Sequence, residues 1–454
     1  MLRRIYTAPK SAPVGPPAAA LLLAATLLVP ALLTPAAVLA AGQDDDGRSI
    51  RFGIEAKAHY RSSEKKESFR VNFPTVRELR PVDPGEHVEI STVTLFVDAQ
   101  WGESVTAHAK IDIIDLYDRN PTSTHDEIDI DEAWIRFGQE TPPALLPESR
   151  GQYVKVGKMP KFERQNDRHL ESYGLVSTAF NRMEDVGIEV GVDLGRHIYL
   201  KGSLTAGNPI FLRDVNALAG DHGTPELLEG LPPRLFSGTP IYYDADVESL
   251  DTDGDLEVGW GLGARWSSVD GRYGVDFLAW GYARDLADTV PIDGSFYGGD
   301  LDILQGPRNA FPFPIEPGNR DKEEIGANLW LYLGELSVFA QYVDQDVAGL
   351  ERTGLEVELA YRVELPLVWA IGGEQLFTYI APAVRYSELD PDFSPPPVTP
   401  SPSFGWAWEK IDGGLRLGVL EGIDVTAEYT WNEFITAGGP RENNELLVTL
   451  RWRR

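Results

Sequence analysis

From about residue 49 to the end of the chain, apolar and polar residues alternate with a period of two. Ile50, Phe52, Ile54, Ala56, Ala58 and Tyr60 share one face of a predicted strand. Arg51, Gly53, Glu55, Lys57, His59 and Arg61 share the other. Val105, Ala107, Ala109, Ile111 and Ile113 oppose Thr106, His108, Lys110 and Asp112 in the same manner. Near the C-terminus, Ile423, Val425, Ala427, Tyr429 and Trp431 oppose Asp424, Thr426, Glu428, Thr430 and Asn432. Such segments have the length a tilted strand needs to cross a bilayer. No apolar stretch after residue 41 is long enough for a transmembrane helix, so a membrane protein made from this chain must use strands.

About sixteen such stretches can be marked, the one around Tyr153–Gly157 being the shortest. Their connections fall into two classes by position. Odd connections are mostly long: 62–87, 115–127, 158–184, 207–254, 285–323, 388–405 and 433–443, with 344–352 the shortest of the set. Even connections are mostly tight: Gly102-Glu103, Gly195-Arg196, Val269-Asp270-Gly271, Gly334-Glu335 and Glu421-Gly422, with 139–152 and 364–375 longer. Long loops at one end and short turns at the other define an all-β, transmembrane antiparallel β-barrel, with the short turns periplasmic and the long loops extracellular. A secreted sandwich shares the alternation but has no reason to sort its loops by length. Tyr60, Trp101, Trp260, Trp266, Tyr429, Trp431 and Trp452, near strand ends, are candidates for interfacial aromatic girdles.

Residues 1–40 read as a signal peptide: Arg3, Arg4 and Lys10 precede an apolar run from Ala18 to Leu33, and Val38-Leu39-Ala40 offers a cleavage site. Residues 41–48 form a short linker and 49–454 the barrel, placed in the outer membrane of a Gram-negative bacterium. The formal charge is −29, and loss of the leader's three cations makes it more negative. That acidity excludes nucleic acid as a partner, since phosphates need a basic footprint. Cysteine is absent, so disulfides and thiolate metal sites are excluded.

Asp131-Glu132-Ala133-Trp134-Ile135-Arg136-Phe137-Gly138, Val154-Lys155-Val156-Gly157-Lys158-Met159-Pro160, Val186-Gly187-Ile188-Glu189-Val190-Gly191 and the closing Leu446-Leu447-Val448-Thr449-Leu450-Arg451-Trp452 together resemble Gram-negative outer-membrane porins. The middle section is most similar to the phosphate-selective porin family. The resemblance implies a sixteen-stranded barrel, often a homotrimer, that passes small hydrophilic solutes, anions such as phosphate among them. One departure stands out: such barrels usually end on an aromatic residue, whereas here Trp452 is followed by Arg453-Arg454.

No nucleophile elbow, phosphate loop or zinc-spaced histidine pair is present, so neither an enzyme nor a cofactor is expected. Asp251, Asp253 and Asp255 alternate around Gly254, as oxygen ligands do in flexible calcium loops, but the full twelve-residue pattern is missing. The expectation there is weak Ca²⁺ binding at an extracellular loop, beside lipopolysaccharide and outer-membrane lipid; the alternative is a solvated acidic loop. The polar faces of the strands carry the candidate pore-lining cations Lys110, Arg136, Arg265 and Arg416, balanced by a similar number of acids. A balanced wall with acidic loops predicts a mild cation preference, unless bases gather at the constriction. Two long loops are candidates for folding inward. One is 158–184, with Lys158, Lys161, Arg164, Arg168 and Arg182; the other is 299–320, with Arg308, Phe311 and Phe313. The first, folded inward, makes an anion filter. The functional expectation is passive diffusion of small hydrophilic solutes or ions; the alternative is a non-conducting surface protein with adhesive or ion-binding acidic loops.

Overall fold

Strand formation follows from the alternation itself, since β-branched and aromatic residues on every second position suit a pleated wall with one apolar face. The computed structural model describes residues 48–63, 69–72, 76–79, 85–115, 128–148, 150–165, 168–180, 184–207, 256–285, 321–347, 349–392, 407–436, 439–442 and 444–454. Sixteen wall strands are present among these described residues. They are β1 (Arg48–Ser63), β2 (Gly85–Trp101), β3 (Val105–Asp115), β4 (Asp129–Gly138), β5 (Gln152–Pro160), β6 (Glu184–Asp193), β7 (Ile198–Thr205) and β8 (Glu257–Ser267). The second half comprises β9 (Tyr273–Asp285), β10 (Asp321–Leu333), β11 (Leu336–Val347), β12 (Leu350–Tyr361), β13 (Tyr379–Pro391), β14 (Ala407–Leu420), β15 (Ile423–Thr436) and β16 (Glu445–Arg453). Short segments Val363–Glu364 and Gly439–Glu442 extend the same sheet.

Each strand pairs antiparallel with its sequence neighbour, and β1 pairs with β16 from Glu55↔Arg453 to Ser63↔Glu445. The sheet therefore closes and leaves no long edge to pair with another chain. The tight connections emerge as read: Gly334-Glu335 joins β10 to β11 in two residues. Gly334 sits at φ 66°, a conformation that a two-residue hairpin needs and that glycine adopts without strain.

The burial pattern fixes what surrounds the wall. Along β8 residues alternate buried and exposed without a break. Trp260 and Trp266 are about half exposed (49% and 51%), while Glu257 on the opposite face is 0% exposed. Apolar ranks point out and charged ranks point in, the reverse of a soluble sandwich. An exposed apolar rank of this extent is stable only against lipid, and a closed barrel spans it because every wall amide is paired within the sheet. Exposed aromatics at the tight-turn end, Trp101, Phe137, Trp266, Tyr273 and Tyr361, form a girdle at that interface. The chain is an outer-membrane β-barrel.

Candidate constriction of the lumen

The connection between β5 and β6 turns into the barrel and crosses it, carrying a single helical turn, α1 (Leu175–Ala179). It is held on two kinds of contact. The first is apolar. Leu175, Val176, Ala179 and Phe180 bury against Tyr199, Leu278, Trp280, Tyr282, Trp330, Phe339, Val343, Leu389 and Trp408. These wall residues come from β7, β9, β10, β11, β13 and β14, so part of the lumen is a packed core. The wall is cut to fit. A Cβ at Gly354 would lie 2.4 Å from Phe180 Cε2, and one at Gly414 would lie 2.5 Å from Leu170 Cδ2.

The second kind of contact is polar. Wall carboxylates accept backbone N–H bonds from the crossing segment: Glu358 from His169 (3.0 Å), Glu428 from Glu171 and from Ser172 (3.1 Å), and Glu356 from Val176 (3.3 Å). In return Lys410 Nζ donates to the Tyr173 carbonyl (2.6 Å) and Arg352 to the Ala179 carbonyl (2.8 Å). Arg385 donates to Ser172 Oγ (2.8 Å) while paired with Asp412 (2.8 Å). At the start of the crossing, Lys161 makes a close ion pair with Glu257 and lies over the Tyr282 ring at 4.1 Å. Buried charges of this number are stable only when each meets a partner.

Glu171 is the hub on the other side of the segment. Its carboxylate meets Lys57 (3.0 Å), Arg416 (2.6 Å) and Arg451 (3.8 Å). Burial alone would raise the Glu171 carboxyl, but these cations outweigh it and hold it well below the usual carboxylate range.

Beside the crossing segment a cavity of about 280 Å³ remains within the lumen. Its lining includes the cations Lys57, Lys110, Arg164, Arg168, Arg416 and Arg451 against the acids Glu132, Glu171 and Glu356. Lys110 and Arg164 carry close partners, Asp131 and Glu184. Arg168 stacks on Tyr173, 3.7 Å from the ring centre.

The candidate cations thus separate. Lys110, Arg164, Arg168 and Arg416 share the cavity, and Lys161 is buried outside its lining. Arg136 and Arg265 lie toward the tight-turn end. There Arg136 meets Glu140 (3.2 Å), and Arg265 pairs closely with Asp193. Lys158 does not face the lumen: register sets it opposite Ala133 and Val186, in the outward rank of Val154 and Val156. Its loop neighbours point inward, but β5 continues its alternation through Pro160. Arg182, Asp251, Asp253, Asp255 and the loop 299–320 lie outside the described residues.

A second inward feature carries no signal in the alternation. The connection 139–151 folds into the mouth at the tight-turn end, where the Ala144 amide donates to Asp276 (3.0 Å) and Ala144 is buried. Glu140 there meets Lys201 (2.9 Å), Lys155 (3.3 Å) and Arg136. Burial pushes its carboxyl up, and Lys201 and Lys155 more than reverse that, leaving it below the usual range.

The fold and this inward segment define a class: a sixteen-stranded outer-membrane barrel with a partly filled lumen. No family model matches the chain, and no curated protein matches it. Among solved structures it is similar to the outer membrane channel DcaP of Acinetobacter baumannii, at 10% identity and a TM-score of 0.49, covering 92% of this chain and 100% of that one. It is also similar to OmpF of Salmonella typhi, solved with daunomycin (9% identity, TM-score 0.47, covering 90% and 99%). OprB of Pseudomonas putida is a third (9% identity, TM-score 0.46, covering 89% and 93%). These neighbours are Gram-negative outer-membrane porins.

Proposed function

We propose that the barrel is a passive channel for small hydrophilic solutes and that its narrow passage favours anions, phosphate and small carboxylates included. The observation that carries this reading is the lining beside residues 161–180, where six cations stand against three acids, although Lys110, Arg164 and Arg451 also hold Asp131, Glu184 and Asp424 behind that lining. A ring of bases at a constriction selects anions, and the wall's near balance elsewhere leaves that local excess to decide. This reverses the mild cation preference expected from wall and loop charges alone, because the inward segment brings Arg164 and Arg168 to the lining of the cavity. The resemblance to porins extends the proposal to a homotrimer, for which sedimentation of the detergent-purified protein is the check.

The test is planar-bilayer conductance with a reversal potential in a KCl gradient. Discrete open steps with an anion-selective reversal potential support the reading. A cation-selective potential overturns the filter, and a barrel that never conducts overturns the channel, leaving a sealed surface protein.

A further inference from the structure

One connection at the tight-turn end is built unlike its neighbours. The other turns there carry charge: Glu103, Arg196, Asp270 with Arg272, Glu335 and Glu421. The connection from β12 to β13 is longer, 362–378, and between its charged residues Arg362, Glu364 and Glu374 it runs Leu365-Pro366-Leu367-Val368-Trp369-Ala370-Ile371-Gly372-Gly373, nine residues without a charge. Within it Trp369–Ile371 pairs antiparallel with Glu374–Leu376 to make a hairpin. The hairpin is tied to the wall, not free. Leu365 N–H donates to the Thr378 carbonyl (2.9 Å), Phe377 N–H to the Val419 carbonyl (3.0 Å), and Gln375 Nε2 to the Leu365 carbonyl (2.8 Å). Trp369 meets the Phe377 ring edge-on at 5.7 Å.

This ordered projection buries little of its apolar surface. Leu367 is 69% exposed and Ile371 63%, with Val368 and Trp369 similarly open. A contiguous exposed patch of this kind marks a contact surface. Its position names the contact. Immediately before it, Tyr361 and Val363 stand exposed on the strand that carries the lipid-facing rank, level with the aromatic girdle. The hairpin prolongs that apolar face past the girdle, and its Trp is the residue type that settles where hydrocarbon meets headgroups.

We propose that the hairpin 365–376 is a monolayer anchor that inserts its apolar residues into the phospholipid headgroup boundary of the periplasmic leaflet. Lipid is favoured over a protein partner because the patch is continuous with a face that lipid already covers. The anchor fixes the depth and tilt of the barrel on the β12–β13 side, where the neighbouring turns at that end are too short to insert.

The chain has no cysteine, so single labels report without background. The full chain is refolded into phospholipid vesicles carrying Ile371→Cys or Leu367→Cys, each bearing a small fluorophore. Glu335→Cys, in a charged turn at the same end, is the reference. The expected result is severalfold stronger quenching of the 371 and 367 labels by lipids with a quencher near the headgroup, and severalfold weaker quenching by aqueous iodide, than at 335. Iodide quenching at 371 equal to that at 335 overturns the proposal. So does shielding from iodide without quenching by lipid, or a disulfide between two copies of the unlabelled Ile371→Cys chain, since either would mean that protein covers the hairpin. Two label positions guard against one substitution failing to fold, and conductance is not part of the readout.

Discussion

At Glu171 one carboxylate faces Lys57, Arg416 and Arg451 and ties the crossing segment to β1, β14 and β16. Replacing it by Gln keeps the shape but leaves three partly buried cations short of a partner. The expected loss is about 2 kcal/mol, below the roughly 3–5 kcal/mol of a fully dry pair because the passage admits water. The folded form should be lost at a lower temperature on electrophoresis of heated samples. The same change removes one of three acids from the lining, so the reversal potential should shift further toward anions. Acid should act in the same direction by titration. The folded carboxyl lies below its ordinary value of 4.5, so its stabilisation is fully present above that value and fades as pH falls through the lower, folded one. Conductance should stay constant from neutral down to about pH 5 and change only in more acid solution. Steady change across neutral pH, measured in the same bilayers, would remove Glu171 as the clamp. The bases around it were legible one by one, since Lys110 and Arg416 fall on polar strand faces. Glu171 was not, because in sequence it is one of several acids mixed with the bases of its loop, and nothing local says that the loop lies across a lumen.

Among the elements, the crossing segment carries the site, and its seat on the wall is a matter of volume. Gly354 and Gly414 leave room for Phe180 and Leu170. Gly354→Leu would overpack this contact, at a cost of about 1–3 kcal/mol. The wall behind is held by paired strands, so the segment moves toward the passage. Single-channel conductance should therefore fall while the barrel still folds, and unchanged conductance would show that the seat yields elsewhere. The inward connection 139–151 gives the opposite case. Shortening it across Pro142–Pro147 removes the Ala144–Asp276 contact and should raise conductance if that mouth limits flow. Alternation alone could not show the apolar seat. Around Phe277–Ala283 and Asn328–Tyr332 the sequence is apolar on both faces, which reads as a strand covered on both sides. That second cover is α1, which is five residues long and too short to leave a helical period of its own.

For the whole molecule, the closed barrel was written in the chain because its signals are repeated. Alternation recurs in every wall strand, and the sorting of loop lengths recurs at most connections, with 139–151, 362–378 and the short link from Val347 to Leu350 as exceptions, so local ambiguity averages out. Selectivity has no such redundancy, since it depends on which charges meet at one cross-section. The chain as a whole carries −29, yet the passage lining holds a cationic excess. Distance and screening decide between these two fields. At about 0.1 M salt the Debye length is roughly 10 Å, so distant acids are already damped while charges on the lining act at contact range. At about 1 M it shrinks to roughly 3 Å and the lining's own field is confined to its surface. Anion preference should thus be strong in dilute KCl and decline toward the bulk mobility ratio as salt is raised. Replacing Lys57, Arg168 and Arg451 together by Gln should flatten that dependence, with reversal potentials across a salt series as the readout. If instead the acidic exterior governed the pore, dilute salt would favour cations and the triple variant would strengthen that preference.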